Sequence, residues 1–386
     1  MAKKRIVFVI GSLEIGGTEQ HLCTVLPHLK SKALDITVVC LQKRGALASQ
    51  MDAAGIPVIT PRFSTRFLFS KLLHLLVATV WLTLVFRGRR PDIVHMFLPE
   101  AYIIGGTVAI FMGIPIRLMS RRSLNNYQSR RPFIAFVERC LHRNMHALLG
   151  NSSAVIKQLR KEVGKGKTNT HLIYSGLEAK RFSNLKTGAK TRSQLGIPKE
   201  AIVFTTVANL IPYKGHADLL EAFEVVANRL TVDWRLICVG KDSGILPDLK
   251  AQVRDRKLGG KILWLGQRTD IPNLLAATDV GVLASREEGL PTAVMEGMAA
   301  GLPMVVTDVG GASELVIDNK TGILVPPQNA KKMATALLSL ANDAVLRETM
   351  GLEGHARITE NFSLERCVAA YGSLYDSLLN QLTAKI

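Results

Sequence analysis

The stretch Asp279-Val-Gly-Val-Leu-Ala-Ser285-Arg-Glu-Glu288-Gly-Leu-Pro291-Thr-Ala-Val-Met-Glu296-Gly-Met-Ala-Ala-Gly301-Leu-Pro-Met-Val-Val-Thr307 reads as strand, polar loop, helix and strand. Both flanking strands are short and apolar throughout, so they are expected to be buried on both faces, as in a parallel sheet. Pro291 suits the first helical position, where its fixed φ is preset and its missing N–H is no loss. Gly301, followed by Pro303, marks the stop.

This geometry carries chemistry. The open N–H groups at the helix start, Thr292 among them, point with the positive end of the helix dipole at whatever lies above the strand ends. A diphosphate suits that place. Glu288 in the loop and Glu296 in the helix flank it, and carboxylates accept hydrogen bonds from sugar and ribose hydroxyls. Phosphate between two hydroxyl readers describes a nucleotide-sugar. Spacing alone leaves two other readings open. One is a pair of solvated acids; the other is a hydrolytic dyad, which holds its carboxyls about 5–9.5 Å apart.

The rest of the chain repeats the unit. Strands are expected at 4–10, 35–41, 56–60, 91–95, 116–120, 146–150 and 171–174. A second series is expected at 201–207, 234–239, 261–265, 280–283, 304–307 and 322–325. Strands alternating with helices predict parallel sheets covered on both faces, whose ligands bind at strand C-terminal ends. The fold class is therefore α/β, with two Rossmann-like domains facing a cleft: residues 1–185, residues 186–362, and a last helix, 363–386. The polar, aperiodic stretch from Lys180 to Ser193 is expected to be the linker.

With 386 residues and 47% hydrophobic composition, the chain suits two globular domains. The five cysteines form no CxxC, which points to buried free thiols rather than a disulfide framework or a zinc site. The start has no hydrophobic signal region, so a cytoplasmic location is expected. Residues 1–190 hold 29 Lys and Arg against 9 Asp and Glu, whereas residues 191–386 hold 20 against 22. A basic first half suits an anionic surface, and without basic-aromatic interleaving nucleic acid is not the expected partner. Residues 67–86 are mostly apolar between arginines. A membrane span there would split the sheet. A helix packed on the sheet is expected, with its outer face resting on anionic lipid at the inner membrane surface.

Glu288-x7-Glu296 with Gly289-Leu290-Pro291, then Ala299-Ala-Gly-Leu-Pro303, Gly310-Gly311 and Glu314, resembles family 4 of the retaining glycosyltransferases, which have the GT-B fold. Val207-Ala-Asn-Leu-Ile-Pro-Tyr-Lys-Gly-His216, Leu265-Gly-Gln-Arg-Thr-Asp270 and Gly16-Gly17-Thr18-Glu19 extend the likeness over nearly the whole chain. The resemblance implies a UDP- or GDP-sugar donor, a glycan or lipid-linked acceptor, no cofactor and no metal. It implies that Glu296 holds the ribose, Glu288 the transferred sugar and Lys214 the diphosphate, with Gly16 and Gly17 closing over the donor. His95 would face the sugar, or else be a buried structural histidine.

Two residues depart from the family pattern. Asn209 stands where an arginine is usual, which leaves Arg268, Arg121 or Arg122 to compensate. Phe97 stands where a second histidine is frequent. A nucleotide-sugar 2-epimerase of the same architecture and a non-catalytic nucleotide-sugar-binding protein are the rival readings.

Overall fold

The computed structural model describes residues 3–30, 34–61, 71–129, 131–164, 169–183 and 187–384. The chain divides into two compact units, one of residues 1–176 with 364–386 and the other of residues 177–363.

In the first unit β1 (Lys4–Ser12), β2 (Leu34–Lys43), β3 (Val58–Ile59), β4 (Ile93–Phe97), β5 (Ile116–Arg121), β6 (Ala147–Gly150) and β7 (Asn169–Leu172) form one parallel sheet, ordered β3-β2-β1-β4-β5-β6-β7. In the second, β8 (Ile202–Val207), β9 (Trp234–Val239), β10 (Ile262–Gly266), β11 (Val280–Leu283), β12 (Met304–Thr307) and β13 (Gly322–Val325) form another, ordered β10-β9-β8-β11-β12-β13. Both expected series of strands are present. In each sheet the order reverses once, beside β1 and beside β8, and such switch points open a crevice at the strand ends.

Apolar runs such as Ile-Val-His-Met-Phe in β4 and Met-Val-Val-Thr in β12 are buried along their whole length, because helices cover both faces. The last helix, Leu364–Thr383, belongs to the first unit. Leu364, Cys367, Tyr371, Leu374, Tyr375 and Leu378 recur at helical spacing and join the core that β1, β2 and β4 share.

Residues 71–89 are helical (Lys71–Arg89), with Ala78, Leu82 and Phe86 packed on the sheet. Residues 67–70 and the flanking Arg62 and Arg66 lie outside the described residues. On its outer side Leu76, Val80 and Leu84 stay exposed, Leu84 by 63%. No helix among the described residues is long and apolar enough to cross a membrane.

The expected linker is not aperiodic. Ala179–Phe182 forms a 3-10 turn and Gly188–Gln194 a helix. Gly188 presses so closely on the carbonyl of Ala276 that a Cβ there would lie 2.2 Å from the oxygen. Tertiary contact thus makes a helix of a stretch whose polar composition shows no period.

Candidate active site

The loop after β11 is held from several sides. The Thr307 hydroxyl donates to the carbonyl of Ser285, and the Arg286 N–H donates to the carbonyl of Tyr213 at 2.7 Å. The Arg286 guanidinium grips both oxygens of Asp218 at 2.9 and 2.7 Å. Gly310, at φ +58°, lies where a Cβ would sit 1.9 Å from the Glu288 carbonyl oxygen, and the N–H of Gly311 donates to the carbonyl of Gly289 at 2.8 Å. Only glycine allows that approach in that conformation.

Inside this frame Glu288 Oε1 accepts from Lys214 Nζ at 2.6 Å and from the hydroxyl of buried Ser285 at 2.7 Å. The Lys214 side chain is 18% exposed and that of Glu288 10%. Lys214 arrives from the 3-10 turn Pro212–Lys214 after β8, and the ring of Tyr213 lies 5.5 Å from its ammonium. Gly215 (φ +69°) closes the turn, with a Cβ position 2.0 Å from the carbonyl of Ala284. The ends of β8 and β11, adjacent at the switch point, thus bring Lys214 and Glu288 into one ion pair. One oxygen of the acid is doubly engaged, and the ammonium has two N–H groups to spare.

The helix runs Thr292–Ala299. Pro291 is its N-cap rather than its first turn, and its carbonyl accepts from the N–H groups of Val294 and Met295. No side chain caps this end, so the N–H groups ahead of Val294 stay open to a ligand, backed by the dipole. Leu290 is buried beneath it. Gly301, at φ +74°, follows the helix end. Glu296, one turn in, keeps part of its surface open while protein crowds it. That burial raises its carboxyl to about 7, against the opposing charge of Arg181.

The other expected residues fall elsewhere. Asn209 is exposed at the end of β8, and its Oδ1 accepts from the N–H of Lys241 at 3.0 Å. Arg268 is exposed and makes two 2.7 Å bonds to Asp270, two residues along. Gly16, extended at φ −161°, is the N-cap of the helix Gly17–Leu29, so Thr18 sits inside the first turn and caps nothing. His95 is wholly buried; Nδ1 meets the hydroxyl of Tyr375 and Nε2 that of Ser120, each at 2.8 Å. Burial, and then the charge of Arg122, lower its imidazole to about 3. It is a neutral core histidine under the C-terminal helix, with no nitrogen left for a sugar.

Sequence reading missed Ser285 and a buried network behind β5. There Arg121 joins Glu138 at 3.2 Å and Glu162 at 2.9 Å, and His142 bridges Glu162 to the hydroxyl of Tyr102 at 3.0 and 2.7 Å. The available signal was Glu138, the one acid in the helix Pro132–His142, in line with the buried Ala135 and Leu141.

Residues 15–181 match Glycosyltransferase Family 4, and residues 188–357 match Glycosyl transferases group 1. The UDP-Gal:alpha-D-GlcNAc-diphosphoundecaprenol alpha-1,3-galactosyltransferase of Escherichia coli is 26% identical over 365 residues, 92% of each chain. The capsular polysaccharide biosynthesis glycosyltransferase CapM of Staphylococcus aureus is 24% identical over 376 residues, 92% of this chain and 93% of its own. In fold, the chain is similar to Anabaena HepE, solved with UDP and glucose. The TM-score is 0.86 at 21% identity, covering 97% of this chain and 100% of that one.

Proposed function

The chain is a glycosyltransferase of the GT-B fold, with a family 4 first half and a group 1 second half, and on that premise we propose its reaction. It moves a sugar from a UDP- or GDP-sugar, with retention of configuration, to a glycan or lipid-linked acceptor in cell-surface polysaccharide assembly. The observation that carries this is the Lys214–Glu288–Ser285 constellation beside the uncapped helix start at Thr292. The relatives matched over nearly the whole chain are named transferases, which sets aside the epimerase and the non-catalytic binding protein.

In this reading the diphosphate lies on the open N–H groups behind Pro291. The spare N–H groups of Lys214 neutralise the charge that grows as the nucleotide leaves. Glu288 offers its free oxygen to the sugar hydroxyls, Ser285 fixing the other, and Glu296 takes the ribose. Gly289 and Leu290 shape the loop, and the Asn209 amide supplies a weak donor. His95 has no part. Fixed cations and amides replace a metal ion, so no cofactor is required.

A thermal-shift panel of UDP-, GDP- and ADP-sugars tests the reading, since a ligand of the native state raises the midpoint. One family is expected to raise it, with transfer surviving in EDTA. No shift from any sugar nucleotide sinks the proposal. A peripheral membrane contact belongs to the same reading: the exposed face of Leu76, Val80 and Leu84 runs into Arg87, Arg89 and Arg90, with no acid in the helix. Replacing the three arginines by Ala is expected to weaken binding to anionic liposomes. Unchanged binding removes the membrane from the proposal.

A further inference from the structure

Arg121 and Arg122 stand side by side at the end of β5 and meet opposite fates. Arg121 is sealed between Glu138 and Glu162. Arg122 pairs with no carboxylate among the described residues. Its Nη2 donates to the hydroxyl of Ser175 at 2.7 Å, and the Tyr371 hydroxyl also bonds it. Protein crowds the guanidinium enough to lower its proton affinity by burial, although the residue keeps some open surface.

A guanidinium presents five N–H donors in a rigid fork, and two neutral hydroxyls leave most of the fork unspent. Burying such a charge without an acid is unfavourable unless an anion completes it. The surroundings point the same way. The carboxyl of Glu19, in the first turn of the helix Gly17–Leu29, lies within the field of Arg122 but forms no ion pair with it. Nε2 of His21 meets the hydroxyl of Tyr371 at 3.3 Å while its Nδ1 is buried without a partner, a ring nitrogen that can donate an N–H to an anion beside Arg122. All of this lies at the C-terminal end of a parallel sheet, where ligands of such sheets bind.

We propose that Arg122 is the anion-binding residue of the first unit and receives the oxyanion of a phosphate ester through its unspent N–H groups. The assignment rests on the transferase reading, which offers two sources of that group: the diphosphate of a prenyl-linked acceptor, or the nucleotide.

Calorimetric binding of geranyl diphosphate and of UDP to the full chain separates them, with Lys214→Ala as the background that silences the other phosphate site. Arg122→Gln is expected to weaken one of the two probes about ten- to hundredfold, the loss expected for a charge-assisted hydrogen bond. Arg122→Lys is expected to lose less. Ser175→Ala cuts the structural tie but keeps the cation, and should bind as the parent does. Loss for geranyl diphosphate assigns the site to the acceptor, and loss for UDP assigns it to the nucleotide. Unchanged affinity for both in a folded Arg122→Gln overturns the assignment. So does a loss that Ser175→Ala shares in step with a lowered melting point, or a parent that binds neither probe. A parent that binds geranyl diphosphate through Arg122 but no sugar nucleotide keeps the assignment and sinks the transferase reading.

Discussion

The ion cluster at the end of β5 and the one at the ends of β8 and β11 differ in what they leave over. Behind β5, Arg121, Glu138, Glu162, His142, Tyr102, Tyr127 and Gln128 consume one another's hydrogen bonds. Between β8 and β11, Lys214, Glu288 and Ser285 share one carboxylate oxygen and leave the second oxygen and two ammonium hydrogens outside the bonds they make together. An ion pair alone is no sign of function, because buried networks serve folding as readily. Residual hydrogen-bonding capacity, in a loop that runs into an uncapped helix start, distinguishes the second cluster.

Mutations can break that contrast. Arg121→Ala strips the cation from two buried carboxylates and is expected to cost about 3–5 kcal/mol of stability, read from denaturant unfolding. Lys214→Ala is expected to lower kcat/KM by about 10²–10³, roughly 3–4 kcal/mol, by analogy with losing one preorganised electrostatic donor, with little change in melting point. If Lys214→Ala instead unfolds the protein while residual transfer is undiminished per folded molecule, the two clusters are alike and the contrast fails.

A smaller effect comes with pH. Glu296 is held at about 7 against an ordinary 4.5, so the folded state binds its proton more tightly than the unfolded chain does. Its effect on stability is therefore most favourable below 4.5, worsens as pH rises to about 7, and is level above. Hydroxyl recognition needs the ionised form, so donor affinity should improve a few-fold between pH 6 and 8, and Glu296→Gln should flatten that profile. Glu162 runs the other way. Burial pushes it up, but hydrogen bonds from His142 and Arg121 outweigh that and hold it at about 2, so its contribution is present above 4.5 and fades as acid approaches 2. A donor-affinity profile that stays flat in the parent removes Glu296 from the ribose.

Both sheets were legible in the sequence because their strands are continuous apolar runs set off by glycine and proline, a pattern that local chemistry determines. The loop of Glu288 was legible for the same reason. The fate of each cation was not. Nothing local separates Arg121 from its neighbour Arg122; the acids that seal the first lie 17 and 41 residues on. His95 looked like a strand-end ligand because the helix carrying Tyr375 arrives 280 residues later. Arg268 is the exception: Asp270, two residues away, was in plain view.

That late helix also sets the order of assembly. The first sheet is built from the opening 176 residues, yet part of its core is supplied by Leu364–Thr383. A chain emerging from the ribosome must hold β1 and β4 with Phe8, His95 and Phe97 uncovered while the whole second unit is synthesised. Domains fold as units during synthesis, so residues 177–363 are placed to finish first, while the first sheet waits for Leu364–Thr383. Losing the helix Leu364–Thr383 would thus injure the sheet that was made first.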